Sequence, residues 1–354
     1  MSLTKRHLQK RAIGSTMFPK TSLSGALKRL GFVQADPIRS PARAQDLILR
    51  HRVRNYKAGD LEARYSKLKL EEDYLYAYGF VTHALSNILH PRPRMRLTTS
   101  EMRLFEVVSA RRKIHPRDLD AYFEREREVN AWGSYSKATT AILQSLHYRG
   151  VLRVAGRENG IRLYEPTVRK YEEIDSKERL TKLVLQMADI LGPLSVRSLN
   201  LVLNHLNYAS PALSGNKSIV SRLLKAGELE SAEVDEITYL WCAHRPRRAQ
   251  TNEVVRFLAP FDPIVWDRQR FEHLWGWAYR FEAYTPAAKR KLGYYAMPVS
   301  WREKVIGWVN ISHKNGEMDI KPGFVDARPT DRLFSLEFDS EVERFRQFLQ
   351  KRSA

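Results

Sequence analysis

Three times along this chain a basic, amphipathic segment closes on Leu-x-x-x-Gly and runs straight into apolar residues, at 27–31, 146–150 and 223–227. A glycine there lets a helix end in the left-handed region without a Cβ clash, and the residues beyond it read as strand. A chain written in such helix–stop–strand units folds as a series of small mixed modules, not as one large sheet or one helical bundle. The middle unit is the clearest. Ser136 is placed to cap a helix whose apolar face is Ala138, Ile142, Leu143 and Leu146, and Gly150 ends it. Segments 151–154 and 161–164 then predict a β-hairpin around a turn running from Gly156 to Gly160. Helical patterns at 100–110 and 117–123 precede it, so the order is helix, helix, helix, hairpin, which is that of a winged helix.

The third unit repeats the order with helices at 176–191, 196–206 and 218–226 and a strand at 237–242. Its hairpin region carries Glu228, Glu230, Glu233, Asp235 and Glu236, which phosphate would repel, so this unit is expected to pack or space. The first unit offers helices at 4–13, 23–30 and 41–52. Beyond Pro260, where five of the seven tryptophans lie, strand-like runs at 293–299, 304–311 and 317–325 precede a helix at 340–351. The apolar face of that helix, Val342, Phe345, Phe348 and Leu349, is expected to dock on the strands. The expected fold is mainly α with β: winged-helix domains at 1–97, 98–172 and 173–255, then a β-rich, barrel-like domain at 256–354.

Charge narrows the function. Lys and Arg number 60 against 40 Asp and Glu, a net +20 with a pI near 10.0, which disfavours an ordinary metabolic enzyme and favours a polyanionic partner, nucleic acid first. Residues 1–60 hold 13 basic and 3 acidic side chains, so polyanion contact is expected to begin there. No apolar run approaches the roughly 20 residues of a membrane span, and the mean hydropathy is −0.48. The single cysteine, Cys242, has no partner for a disulfide and cannot build a zinc site alone. The acid-poor start has the bias of a transit peptide but reads as folded structure. A cytoplasmic, nucleoid-associated monomer with no metal and no cofactor is expected.

Phosphate-cradling glycine loops, His-Glu-x-x-His and nucleophile elbows are absent from the sequence, and the ten histidines are scattered singly. His83 and His147 are therefore read as structural. The exception is segment 32–38, where Gln34 and Asp36 alternate in a strand-like run that puts both on one face. Pro37 biases Asp36 toward extended geometry, and the same dipeptide is what a simple turn or cap uses. Arg39, Arg43, Arg50, Arg52, Arg54 and Lys57 follow as candidate phosphate contacts, with Arg92, Arg94 and Arg96 as a second basic stretch. A carboxylate set among phosphate-binding cations is repelled by the bound phosphates, and catalysis is one reason to keep it there.

These residues resemble the winged-helix DNA glycosylases of the YcaQ/AlkZ type. Gln34-Ala35-Asp36 is similar to the family's Gln-Φ-Asp signature, and segment 260–268 (Pro-Phe-Asp-Pro-Ile-Val-Trp-Asp-Arg), 286–290 and 293–295 resemble its C-terminal runs. The resemblance implies tandem winged helices plus a β domain forming a concave surface for alkylated double-stranded DNA, with metal-free excision of alkylated bases and unhooking of interstrand crosslinks. It implies Gln34 and Asp36 as catalytic residues. Lys289 and Arg290, basic residues beside aromatics, are added to the expected DNA contacts, whereas Asp262 reads at least as well as a cap before Pro263 and Trp266 is left open. One departure is Ala77-Tyr78-Gly79-Phe80-Val81-Thr82-His83, which stands where many Gln-Φ-Asp members carry Trp-x-His-Glu-Ala, and this bears on lesion range. The expected enzyme is a monofunctional glycosylase for cationic N7-alkylated purines. The competing reading is a non-catalytic tandem winged-helix regulator, and RNA binding through the aromatic C-terminal region is the weakest of the three.

Overall fold

The computed structural model describes residues 3–92, 96–123, 127–129, 135–207, 217–244, 253–314 and 317–350. The first unit contains α1 (Lys5–Thr16), α2 (Leu23–Leu30), β1 (Phe32–Gln34), α3 (Ala44–Leu49), α4 (Asp60–Ala63), the hairpin β2 (Leu70–Tyr74) and β3 (Tyr78–Thr82), and α5 (His83–Leu89). Its antiparallel sheet has the order β1-β3-β2. The second unit is α6 (Thr99–Arg111), a 3₁₀ turn at Pro116–Ala121, β4 (Arg127–Val129), β5 (Tyr135–Lys137), α7 (Ala138–Tyr148) and the hairpin β6 (Leu152–Glu158) and β7 (Ile161–Pro166). The third is α8 (Ser176–Leu191), β8 (Leu194–Ser195), α9 (Val196–Asn207), α10 (Lys217–Lys225), β9 (Leu229–Val234) and β10 (Ile237–Cys242), its sheet ordered β8-β10-β9. Last come β11 (Arg256–Phe257), α11 (Pro263–Trp266), α12 (Arg268–Trp275), the meander β12 (Met297–Trp301), β13 (Lys304–Lys314) and β14 (Glu317–Phe324), and α13 (Arg332–Leu349). Among the described residues no helix is long and apolar enough to cross a membrane.

The three stop glycines behave alike: Gly31, Gly150 and Gly227 have φ of +71°, +71° and +69°. α2 shows why such a unit forms. Ser22 caps its start by accepting from the Gly25 amide at 3.1 Å, and Leu23, Ala26, Leu27 and Leu30 make one buried stripe at helical spacing. Gly31 then turns the chain directly into β1.

Several local expectations are corrected. Ser136 lies inside β5, so the helix it was expected to cap starts at Ala138. The second hairpin turns on Asn159 and Gly160 alone, both with positive φ, because a two-residue turn of that hand matches strand twist; β6 therefore continues through Gly156 to Glu158. In the C-terminal part the sheet, ordered β11-β12-β13-β14, is open, since its two outer strands do not pair with each other, and is not a barrel. The strand expected from residue 293 begins only at Met297, because the amides of Lys291, Leu292 and Gly293 turn inward onto the Glu282 carboxylate at 2.9, 2.7 and 3.2 Å. The last helix starts eight residues before Ser340, where Asp331 caps it by accepting from Leu333 N–H.

The interior does not respect module boundaries. One core joins α2, α3 and β1 to the C-terminal sheet and to Phe334, Phe338, Phe345 and Phe348 of α13. Another joins β3 and α5 to the helices of the third unit. The second unit keeps a core of its own, as does the C-terminal part around Phe271, Trp277 and Val305, and the second unit's hairpin docks on β2 through charge: Arg153 to Glu71 at 3.0 Å and Arg157 to Glu72 at 2.6 Å. The first unit is thus the hub, and what leaves its sheet edge at β1 is fixed from two sides.

Candidate active site at the Gln34–Asp36 turn

β1 pairs with β3 only, Phe32 opposite Val81, Val33 opposite Phe80 and Gln34 opposite Gly79. Gly79 permits this approach, because a Cβ there would lie 2.4 Å from the Val33 carbonyl oxygen. The Ala35 amide still donates to Tyr78 O at 2.9 Å. The chain then leaves the sheet, since Pro37 has no N–H to continue a ladder. Asp36 Oδ1 accepts from Ile38 N–H at 2.8 Å, closing an Asx turn. The turn expected as the plain structural alternative is therefore present, and it uses only one face of the carboxylate.

The electrostatics distinguish this turn from an ordinary one. Asp36 makes no ion pair among the described residues, although the chain carries 60 cations. Burial raises its carboxyl above the usual range, offset in part by the Ile38 amide. Two residues earlier Gln34 Oε1 is buried and has no hydrogen-bond partner. Gln45, at the start of α3, accepts from the Asp36 amide at 3.4 Å and donates to Glu62 at 3.2 Å. Gln45 was missed by sequence reasoning; an amide in the first turn of a helix carries no signal of what it will reach.

The opposite wall comes from some 250 residues further along the chain. Tyr295 belongs to the same core cluster as Val33, against which Ala35, Ile38 and Phe281 also pack. Its hydroxyl is buried without a partner, and its pKa is raised well above normal by burial and by the Asp36 charge. Tyr284 is raised by the same two causes in the same order. A carboxylate with no ion pair among the described residues and two tyrosines that feel its charge thus come together. Such a place suits a developing or fixed positive charge and a water held for attack. Among the described residues no three His, Cys, Asp or Glu side chains gather as metal ligands.

The family model described as DNA glycosylase AlkZ-like matches residues 27–348. The chain belongs to the AlkZ-like DNA glycosylase family. Among solved structures it is similar to the Streptomyces sahachiroi DNA glycosylase AlkZ, with a TM-score of 0.63 at 14% identity over 98% of this chain and 97% of that one. At that identity the likeness is one of fold.

Within this AlkZ-like chain the expected phosphate contacts divide sharply. Arg43, Arg50 and Arg52 are corrected: each is buried and committed internally, to Glu62, to Glu341 and to Asp262 respectively. Lys57 donates to the Gln347 carbonyl of α13. Arg39, Arg54 and Lys289 are exposed, and Arg290 is half-buried, lying 5.0 Å from the Tyr294 ring centre and donating to Thr285 O at 2.7 Å. Of the second stretch, Arg92 is buried on Asp73 at 2.8 Å, Arg96 is exposed, and Arg94 lies outside the described residues.

The basic excess of residues 1–60 is corrected with them. Seven of its 13 cations are ion-paired within the molecule, those of α1 being Lys5 with Asp235, Arg6 and Lys10 with Glu303, and Arg11 with Glu230. The acidic hairpin of the third unit is half of that pairing, so it packs on α1. Asp262 caps α11, accepting from Ile264 N–H at 3.1 Å, and Trp266 packs against Tyr76 with ring centres 4.4 Å apart and planes tilted by 54°, so both build structure. His147 is buried and bonded to Glu72 O at 2.8 Å.

Proposed function

We propose that this chain is a monofunctional DNA glycosylase that excises N7-alkylated, cationic purines from double-stranded DNA. The observation that carries the reading is the half-buried Asp36 carboxylate, which has no ion pair among the described residues; two residues earlier in the chain, Gln34 Oε1 is buried without a partner among them. An N7-alkylated purine already carries a positive charge, so it leaves without a general acid. As its glycosidic bond breaks, the sugar gains oxocarbenium character, which Asp36 stabilises while taking a proton from the attacking water; Gln34 orients that water. Water supplies the oxygen that replaces the base, so an abasic site remains. Among the described residues no amine is bonded to either residue, which favours hydrolysis over a Schiff base.

In this reading residues 1–97, 98–172 and 173–255 are winged-helix units and 256–354 the closing domain of a monomer acting in the cytoplasm at the nucleoid. Arg39, Arg54, Lys289 and Arg290 are the phosphate contacts that burial leaves available. Partial exposure of Asp36 suits a base that cannot swing freely out of the duplex, which extends the proposal to interstrand crosslinks.

The test is base release from a duplex with one N7-methylguanine, scored as alkali-labile breaks, for wild type and Asp36→Asn at matched DNA binding. Wild type is expected to release base, and the variant to be slower by about 10² to 10⁴-fold, roughly 3–5 kcal/mol of barrier. Equal rates would remove Asp36 from the chemistry. Tight, sequence-selective binding with no release would identify a regulator.

A further inference from the structure

Tyr284 is 77% exposed, more than any other exposed aromatic among the described residues. It is not loosely hung. Its ring meets Phe281 edge-on at 6.1 Å, and Phe281 in turn meets Tyr295 at 5.3 Å and Phe261 at 4.8 Å. The segment that follows it is tied back at both ends. Arg290 donates to Thr285 O at 2.7 Å, Glu282 takes the three amides of Lys291, Leu292 and Gly293, and Asn310 donates to Leu292 O at 2.7 Å. Gly293 sits at φ +117° with the Asn310 amide against it, a position closed to any side chain. The fold therefore ties down the segment that presents this aromatic ring to solvent, at the edge of the cluster that contains Val33 and packs against Ala35 and Ile38.

The Asp36 charge acts on Tyr284 and has no ion pair among the described residues; an exposed ring and such a carboxylate together suit a cationic ligand, the carboxylate supplying charge and the ring its negative π face. We infer that Tyr284 stacks on the alkylated base and selects it for its positive charge. This assignment rests on the glycosylase reading above and names a specificity-determining residue for it. Tyr294, 43% exposed, with Arg290 against its ring, flanks the same segment. Both faces of a base inside the duplex are covered by its neighbours, so stacking of this kind takes place on a base turned out of the stack or with a neighbour displaced, and needs no deep pocket.

The experiment compares release of N7-methylguanine by wild type, Tyr284→Phe, Tyr284→Leu and Tyr284→Ala, and by a series with phenylalanines of increasing fluorination at position 284. A ring so exposed tolerates all of these in folding, which thermal unfolding checks. The Phe variant is expected to stay within about 2-fold of wild type, and Leu and Ala to lose about 3- to 30-fold in kcat/KM, mainly through KM. Fluorination drains the π face while keeping shape, so log kcat/KM is expected to fall stepwise along the series. A merely structural ring would give a flat series.

Asp36→Asn, assayed in parallel, separates the two claims. If Asp36→Asn abolishes release and the Tyr284 series is flat, or Ala equals wild type, the stacking assignment is overturned and the glycosylase reading stands. If wild type releases no base, both fall together.

Discussion

The tripeptide Asp-Pro-Ile occurs at 36–38, on the first unit, and again at 262–264, where the C-terminal part begins. Both copies fold locally in the same way: the aspartate Oδ1 accepts from the isoleucine amide, at 2.8 Å in the first and 3.1 Å in the second. Their surroundings are opposite. Asp262 is fully buried, caps α11 and is held by both guanidinium nitrogens of an equally buried Arg52, at 2.8 and 3.0 Å. Asp36 has burial enough to raise its carboxyl and no arginine to hold it down. The turn is scaffold in both places, and in the reading proposed above the reactivity of Asp36 comes from the withheld counter-ion.

The sharpest way to break the comparison is to neutralise each aspartate in turn. Asp36→Asn keeps the Asx turn, because an amide oxygen still accepts from Ile38, and loses the charge; base release is expected to fall by about 10² to 10⁴-fold with the fold intact. Asp262→Asn strands Arg52 in a dry interior, where removing one partner of a buried pair costs about 3–5 kcal/mol. Its Tm is expected to fall by about 5–15 °C, while the rate per folded molecule stays near wild type. Thermal unfolding and single-turnover release on the same preparations check both. Matching losses of Tm in the two variants would mean that the two turns do the same job.

The same contrast divides the cations, with a smaller effect. Removing an exposed one, Lys289→Ala or Arg54→Ala, is expected to lower the slope of log binding constant against log salt by about 0.9 each if it touches one phosphate. Arg43→Met, which breaks the buried pair with Glu62, should lower Tm and leave that slope alone. A salt titration of duplex binding with the three variants decides it. An unchanged slope for Lys289→Ala would take residue 289 off the DNA.

What was legible in the sequence follows from the range of the forces involved. Gly31, Gly150 and Gly227 act within one helical turn, so the Leu-x-x-x-Gly pattern predicts all three stops. Gln34 and Asp36 stand out as candidates because their spacing and the resemblance to a family signature are both local. The fate of the arginines was not visible. Arg52 finds its carboxylate 210 residues away and Arg50 finds Glu341 at 291, and only tertiary packing decides whether a cation meets an internal acid or solvent. For the same reason the run 13 to 3 was read as a polyanion site when half of it neutralises the third unit and the C-terminal part. The tyrosine wall was hidden too. Tyr295 carries no local sign of its place in the cluster with Val33, and Tyr284 none of the Asp36 charge that reaches it; both depend on the C-terminal part packing on the first unit.

The smallest effect concerns stability, and its sign follows from the direction in which Asp36 is shifted. A carboxyl whose pKa is raised on folding binds its proton more tightly in the native state than in the unfolded chain. Between the ordinary carboxylate pKa and the raised one, the native state therefore holds more protons, and stability falls as pH rises through that window. Above it the wild type carries the whole loss; below it the loss is absent. Asp36→Asn does not titrate, so at pH 7.5 its Tm is expected to exceed that of wild type by about 1–2 °C, a small gain because water reaches the group, and the gap is expected to close near pH 3. Catalysis runs the other way through the same window, since only the deprotonated carboxylate accepts a proton from water, and single-turnover release by wild type should rise with pH through the raised pKa. A variant less stable than wild type at pH 7.5 would mean that the carboxylate is held by something other than the Ile38 amide, and the contrast with Asp262 would be one of degree.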